Sequence, residues 1–348
     1  MSKNKKNEDI DYLYASALFK SLEVKNITRD KFEKMIEAKS IGDAVLTLAE
    51  CGYGDGNINN INNIDNIDNG GTDYEYLFVS EQKKIYDLVF DIIPEKSIVN
   101  FFKYQNDCHN IKSILKSEFA EKSENIDGLL LDTGIVEAET AKRVVRDRTF
   151  EKYPVNMAEA AKAAIENYSR NKDPMTIDII LDKACFADML EAAKESKCPF
   201  LVVLARKKAD LANIMLTIRI IRMKNTLELL RRALISGGNL EEGFFINLFD
   251  AQESKLFDAL KYTEYSRISE TVSYYVQTIP LSELEKICDE VYCSHINEAK
   301  FIPYGAEVAV GYIAAKEIEI KNARIVLAGK EAGIDGDIIR ERLRAVYA

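Results

Sequence analysis

Cysteine and histidine, two residue types that often do chemistry, are few in this sequence and are not spaced for a metal site. The six cysteines include no Cys-x-x-Cys pair, and His109 and His295 are the only histidines. A structural zinc site needs four such ligands at short, regular spacings. We therefore expect no zinc site and predict buried, unreactive cytosolic thiols. The cysteines are Cys51, Cys108, Cys185, Cys198, Cys288 and Cys293.

Nucleotide chemistry would need a glycine-rich loop in the right setting. The one Gly-Lys pair, Gly329-Lys330, has Arg324 where a phosphate-binding loop requires its first glycine. The glycine cluster at residues 52–56 ends a predicted helix and runs into an Asn-rich stretch, which is not the strand-to-helix setting of a dinucleotide fingerprint. His295 is predicted to lie on a helix surface, and no fixed spacing pairs two carboxylates as acid and base. The sequence thus predicts a protein that is not an enzyme and binds no cofactor, metal or small-molecule substrate.

One arrangement of polar residues recurs along the chain: an acidic residue followed three positions later by asparagine. This pair occurs three times, as Asp107 with Asn110, Asp210 with Asn213, and Glu319 with Asn322. Each pair lies in an apolar stretch with helical periodicity. The asparagines are 103 and 109 residues apart, so the repeated unit is about one domain long.

A basic residue precedes each acid by three or four positions, namely Lys103, Arg206 and Lys316. On a helix this spacing places base, acid and amide on one side and predicts an ion pair within the helix. Asparagine inside a helix costs about 0.5 kcal/mol relative to alanine. Its occurrence at three equivalent positions therefore indicates that each side chain makes a tertiary hydrogen bond. An active-site amide used three times is the alternative, but only the first copy has a nearby base, His109. We interpret the three pairs as structural.

A second marker divides the chain at similar intervals. A turn residue followed by Ile or Leu precedes a predicted helix at residues 26–27, 134–135, 239–240 and 333–334. From the first three markers to the asparagine of the same unit there are 83, 78 and 82 residues. The predicted helical repeats are 1–125, 126–236 and 237–348. The short final helix is predicted to be the start of a fourth unit that stops and closes the array.

Composition and periodicity predict an all-α fold. Proline is scarce, and apolar residues recur at helical spacing in many segments. Thr28 is predicted to cap a helix, with Ile27 and Phe32 as a hydrophobic staple, and Ser282 with Glu285 is predicted to form a capping box. Residues 52–71 repeat Asn and Ile every three positions between glycines and are predicted to be a solvated loop, with an Asn ladder that binds a ligand as the alternative.

The net charge of −10 repels phosphate backbones and anionic membrane surfaces, so nucleic acid is not an expected partner. The basic first residues are followed by acidic ones, unlike a signal peptide. The longest uninterrupted apolar stretch, residues 199–205, is far shorter than the roughly 20 residues that cross a bilayer. We expect no direct membrane span.

Several groups of residues, in this order, resemble a known family. They are Tyr12-Leu13-Tyr14-Ala15-Ser16-Ala17 with Leu22-Glu23, residues 28–54 including Glu37-Ala38-Lys39-Ser40, residues 107–112, Phe301-Ile302-Pro303-Tyr304-Gly305, residues 316–327, and residues 338–343. Their order and spacing are similar to those of the C subunit of prokaryotic V/A-type ATPases, the equivalent of the d subunit of the eukaryotic vacuolar enzyme. The resemblance covers nearly the whole chain, and the Asn-rich loop departs from it.

The resemblance implies a funnel of three similar helical domains with pseudo-threefold symmetry. Such a protein sits on the cytoplasmic face of the membrane rotor ring and receives the central stalk. Its partners would be the central stalk subunits and the ring, and it would transmit torque for proton or sodium transport without an active site of its own. Neither the ion nor the direction is encoded here. Pro303, Tyr304 and Gly305 form one candidate loop for partner contact.

Two other classes share this composition and periodicity. A free-standing helical-repeat adaptor of another protein complex is the main alternative, and the closed count of three repeats favours the rotor part over it. An enzyme of unknown type is the third class. It is disfavoured because the sequence shows neither a nucleophile paired with a base nor a metal-ligand pattern.

Overall fold

The computed structural model describes residues 3–56, 74–120, 126–249, 253–274, 278–345 and 347, without the side chains of residues 3–11, 55, 56 and 127. These residues form sixteen α-helices and four short 3-10 helices, and no strand occurs among them. The all-α prediction is confirmed. Most of the predicted Asn-rich loop, residues 57–71, lies outside the described residues, and Tyr53–Gly56 forms a 3-10 helix.

The α-helices, in chain order, are α1 Lys3–Glu23, α2 Arg29–Glu37, α3 Ile41–Glu50, α4 Glu75–Ile92, α5 Ser97–Phe119, α6 Ala138–Arg146, α7 Val155–Asn171, α8 Pro174–Glu195, α9 Pro199–Arg222, α10 Leu227–Ala233, α11 Glu242–Phe249, α12 Glu253–Leu260, α13 Ser266–Val272, α14 Leu281–Glu298, α15 Ala306–Glu331 and α16 Gly336–Arg342. The 3-10 helices are Tyr53–Gly56, Asp127–Leu129, Phe150–Lys152 and Ala299–Phe301.

The chain divides into two compact units. Unit 1 consists of Met1–Pro94 and Tyr292–Ala348, so it is built from both ends of the chain. Its centre is α15, which packs against α1, α2, α3, α4 and α16. Most residues of this helix are buried, among them the polar Lys316, Glu319 and Asn322. The rings of Phe19 and Tyr312 stack with centroids 5.1 Å apart and fix α1 against α15.

Unit 2 consists of Glu95–Val291 and is centred on α8. This helix packs against α5, α7 and α9, and its buried face is lined by small residues and by Cys185 and Met189. Two ion pairs cross between α5 and α8 at the half-exposed rim, Lys112 with Asp182 and Lys116 with Asp178, both at 2.6 Å. Exposed pairs of this kind contribute little to stability, so the apolar packing holds the unit.

Helix starts follow the predicted chemistry in part. Thr28 precedes α2, but its side chain makes no capping hydrogen bond to that helix, whereas Ile27 and Phe32 are fully buried. The predicted capping box at Ser282 is wrong, because α14 begins at Leu281 and places Ser282 inside the helix. The side chains that do cap helices belong to residues for which no cap was predicted, namely Ser40, Asp173, Thr226 and Asp335.

All six cysteines are buried, as predicted. His295, predicted to lie on a helix surface, is buried instead, and its Nδ1 lies 3.1 Å from the Glu298 carboxylate. Lys330 follows Gly329 within α15 rather than in a loop, and its ammonium donates to the carbonyls of Ile36 and Ala38 at 2.9 and 2.7 Å. Lysine in this position stabilises the last carbonyls of α2.

Candidate functional site

Each of the three repeated asparagines pairs with the backbone of a single residue. Its side-chain amide donates to that residue's carbonyl, and its Oδ1 accepts that residue's N–H. The partner of Asn110 is Leu131 and the partner of Asn213 is Ile235, with all four distances at 2.8 Å. Asn322 binds Arg344 in the same way, at 3.1 and 2.9 Å. A buried backbone segment that lies outside regular structure is thereby satisfied in both directions.

The acid one turn earlier binds the backbone further along the same segment. Asp107 accepts the N–H groups of Ile135 and Val136 at 2.8 and 3.0 Å. Asp210 accepts those of Asn239 and Leu240 at the same two distances. We call each acid and asparagine pair, with the segment that it holds, a clasp. The first clasp joins α5 to residues 131–136, and the second joins α9 to residues 235–240.

The third clasp, on α15, has the same asparagine arm but holds two separate segments. Glu319 accepts the N–H of Ile27 at 2.7 Å, and it also accepts the Tyr53 hydroxyl at 2.8 Å and the Lys316 ammonium at 2.8 Å. Asn322 meanwhile holds Arg344. Both segments lie in unit 1, one near the beginning of the chain and one near its end. Each of the first two clasps thus holds one segment, whereas the third holds two segments from opposite ends of the sequence.

A glycine allows the aspartate to approach the turn closely in the first two clasps. A Cβ atom on Gly134 would lie 2.4 Å from Asp107 Oδ1, and one on Gly238 would lie 2.0 Å from Asp210 Oδ1. Both distances are far below van der Waals contact. In the third clasp the residue before Ile27 is Asn26, which has a side chain, and the acid is the longer Glu319. The longer acid reaches the same kind of backbone N–H from one methylene further away.

The predicted ion pair within the helix forms clearly in one copy. Lys316 and Glu319 are both buried, each with 5% of its side chain exposed. In the first copy, Lys103 is close enough to lower the pKa of Asp107 electrostatically. In the second copy Arg206 is exposed, and the Tyr265 hydroxyl donates to Asp210 at 2.7 Å. A neutral hydroxyl thus binds the acid where an ion pair with Arg206 was predicted.

Burial dominates the electrostatics of the two aspartates. It raises the pKa of Asp107 to about 6, although the two N–H donors and Lys103 act in the opposite direction. Burial likewise raises the pKa of Asp210 against its three hydrogen-bond donors. Burial, the hydrogen bond to Asp210 and the charge on that carboxylate raise the pKa of Tyr265. The tyrosine therefore stays a neutral donor at physiological pH.

The raised pKa of Asp107 predicts a pH dependence. Between roughly pH 4 and 6 the folded protein binds more protons at this carboxyl than the unfolded chain does. Its contribution to stability is therefore greatest below its unfolded pKa and is lost as pH rises through about 6. Urea unfolding gives the free energy of unfolding of the wild type minus that of Asp107→Asn. This difference should fall by roughly 2 to 3 kcal/mol from pH 4 to 7. A difference that rises with pH would show that the N–H donors outweigh burial.

Replacing an asparagine of a clasp should weaken folding. Asn213→Leu leaves the N–H and carbonyl of Ile235 without their partner in a buried site, so we expect a loss of roughly 1 to 3 kcal/mol in urea unfolding. Association with partner proteins should weaken only to the extent that folding does. Asn171→Leu, at the exposed end of α7, is the control and should change stability by about 0.5 kcal/mol or less. A stable Asn213→Leu variant that no longer associates would place this residue in an interface.

The hydrogen bonds align the repeated turns differently from the sequence markers. Asp210 binds Asn239 and Leu240 as Asp107 binds Ile135 and Val136, so Gly134 corresponds to Gly238 rather than to Asn239. The final helix also has another counterpart. Residues held by asparagine follow closely after α16, after α10 and after the 3-10 helix Asp127–Leu129. In this alignment α16 stands before its held residue as α10 does.

The loop predicted for partner contact leads into α15. Gly305 has a φ of 130° and its N–H donates to the Ser16 hydroxyl at 3.1 Å, so the loop is tied to α1. Tyr304 is 44% exposed and Phe301, in the preceding 3-10 helix, is 87% exposed. These two aromatic side chains give unit 1 an accessible apolar surface.

The acids and asparagines of the clasps bind groups of this chain. Their acids accept backbone, tyrosine or lysine donors, and the one nearby histidine, His109, is exposed with Nε2 2.9 Å from the Leu129 carbonyl. A related contact had no sequence signal, because its acid is not followed by asparagine: Asp188 accepts the backbone N–H groups of Asn156 and Met157 at the start of α7, at 3.2 and 2.8 Å. Among the helices of the described residues, none combines the length and apolar content that a membrane crossing needs.

These features define a helical protein whose loops are fastened by a motif repeated on three long helices. Comparison with known sequences identifies the family. The model of the ATP synthase (C/AC39) subunit family matches residues 15–342, so the chain belongs to this family. The resemblance to the C subunit of V/A-type ATPases is thereby confirmed.

Individual relatives agree with this assignment. The C subunit of a V-type sodium ATPase from Enterococcus hirae is 23% identical over 338 residues, 97% of this chain and 99% of the relative. The C subunit of an A-type ATP synthase from Thermococcus kodakarensis is 23% identical over 339 residues, covering 95% of this chain and 89% of the relative. The C subunit of the A-type ATP synthase of Methanosphaera stadtmanae is 26% identical over 276 residues, covering 74% of this chain and 71% of the relative.

Proposed function

We propose that this chain is the non-catalytic connector of a V/A-type rotary ATPase. It joins the central stalk to the membrane rotor ring on the cytoplasmic face and transmits torque for proton or sodium transport. The observation that carries the proposal is the family match over residues 15–342. Relatives that align along nearly their whole length are named as the C subunits of a V-type sodium ATPase and of an A-type ATP synthase.

The clasps support this proposal physically. A part that transmits torque must resist deformation, and long loops between helices are the parts of a helical protein that yield first. Each clasp fastens a non-helical segment to a buried position on a long helix with hydrogen bonds to backbone atoms. The same asparagine arm on α5, α9 and α15 supports three similar domains, at 1–125, 126–236 and 237–348. Their arrangement as a funnel rests on the family resemblance alone.

The exposed aromatic residues beside Gly305 are the proposed contact for one partner protein of the complex. Tyr304 and Phe301 offer apolar area on a loop that is anchored through the hydrogen bond of Gly305 to Ser16. Interfaces between proteins are rich in aromatic residues of this kind, because each buries a large area with little loss of side-chain freedom.

Removal of the protein from its complex tests the connector role. The purified chain should hydrolyse no ATP, and membranes that lack it should lose the coupling between ATP turnover and ion movement. Adding back the wild-type chain should restore coupling, which excludes damage to the other subunits. ATPase activity and ion uptake are measured in the same membrane preparation.

One outcome would change the assignment, and another would exclude only the contact loop. Normal coupled pumping without this protein would contradict the connector role and favour the free-standing adaptor. Adding back Tyr304→Ser with Phe301→Ser tests the contact loop, with Tyr262→Ser, 92% exposed in unit 2, as the matched control. Full recovery with the double variant would remove this loop from the interface and leave the connector role standing.

A further inference from the structure

Helix α16 is held to the rest of unit 1 by few contacts. Ile339 is its one buried residue, and that side chain docks where Gly329 leaves room on α15. Gly336, at its first position, lies close to Ile36 of α2, and other attachments are polar. Arg340 donates to Glu33 of α2 at 2.7 Å, and Asn322 of the third clasp holds Arg344 just after the helix. Low apolar contact of this kind is typical of segments that open locally before the whole domain unfolds.

The other segment of the third clasp is joined to α16. Ile27 lies two residues before the start of α2, and α2 packs against α16 as well as α15. Glu319 and Asn322 lie three residues apart on α15, so the two held segments are fixed to the same turn of one helix. Because α2 also packs against α16, displacing either segment removes packing support from the other.

The third clasp also contains features that lower its stability. Glu319 and Lys316 are removed from water, and the desolvation of a buried pair offsets much of its attraction. The Oδ1 atom of Asn26, next to Ile27, is buried and accepts no hydrogen bond from the described residues. Buried acceptors without a donor are destabilising. Each of the first two clasps instead holds one continuous internal segment. The acid binds two backbone N–H groups of that segment, and the asparagine binds the backbone of a third residue in it.

We propose that the third clasp, α2 and α16 form a latch that opens as one unit, releasing the segments around Ile27 and Arg344 from α15 while α4 and α15 stay folded. The two chain-end segments, far apart in sequence, are thus thermodynamically coupled through the packing of α2 against α16. Such coupling is reciprocal, so weakening either arm must weaken the other.

Hydrogen exchange of the full chain, resolved to single residues, tests the latch. Glu319→Gln should speed exchange of the Ile27 amide and also of the Arg344 amide by about tenfold or more, although Glu319 does not bind Arg344. Asn322→Ala should reciprocally speed exchange at Ile27. Amides of α4 and those held by the second clasp should change by less than about twofold.

Two results would overturn the latch. If Glu319→Gln speeds exchange at Ile27 alone, the two arms are independent contacts. If the amides of α4 speed up together with Ile27 and Arg344, the variant lowers the stability of all of unit 1 and no separate opening exists. Asp210→Asn is the matched variant in unit 2, and it should speed exchange at Asn239 and Leu240 without affecting Ile27.

Discussion

Lys316→Met is expected to destabilise the protein by about 3 to 5 kcal/mol, because it leaves the buried Glu319 carboxylate without its cationic partner. Methionine keeps most of the apolar stem, so lost packing contributes little. The carboxylate retains the Ile27 N–H and the Tyr53 hydroxyl, which stabilise the negative charge but do not neutralise it. Urea unfolding of the full chain measures the change.

Two further variants separate the charge effect from other causes. Adding Glu319→Gln to Lys316→Met removes the unpaired charge, so the double variant should recover at least about 1 kcal/mol of the loss. Lys34→Met breaks a pair with Glu50 at a similar distance of 2.9 Å, but both side chains are about 60% exposed, and its effect should be about 1 kcal/mol or less. Equal losses for Lys316→Met and Lys34→Met would contradict the buried-charge explanation.

Gly238→Ala should cost roughly 2 to 4 kcal/mol, because the new Cβ would lie 2.0 Å from the Oδ1 of Asp210. The atom that must move is part of a buried carboxylate bound to Asn239, Leu240 and Tyr265. Displacing the carboxylate to relieve the clash therefore also strains or breaks these hydrogen bonds. Thermal and urea unfolding should both report the loss.

Gly243→Ala is the control for Gly238→Ala. It lies in α11 of the same unit with open space where a Cβ would go, so alanine should leave stability unchanged or raise it by up to about 1 kcal/mol. Combining Gly238→Ala with Asp210→Ala removes the clashing group. The double variant should then lose less than the sum of the two single losses, whereas strict additivity would show that the glycine is needed for another reason.

The sequence determined the elements and the identity of the clasp residues. Helices are recognisable because apolar residues recur at their period, and the three acid and asparagine pairs are recognisable because both residues lie on one helix, three positions apart. An asparagine within an apolar helix signals a hydrogen bond outside that helix, since leucine or alanine would otherwise be preferred. These are local relations, so the order of residues along the chain is enough to reveal them.

The tertiary structure alone decided what each clasp holds. Asp107 and Asp210 bind segments that follow within about thirty residues in sequence, a distance over which many pairings are sterically open. Glu319 binds Ile27 from the other end of the chain, and α16 stands before Arg344 as α10 stands before Ile235. Such contacts form only when unit 1 brings both ends of the chain onto α15. Pairing between residues far apart in sequence depends on the free energy of packing, so no periodic pattern of residues predicts it.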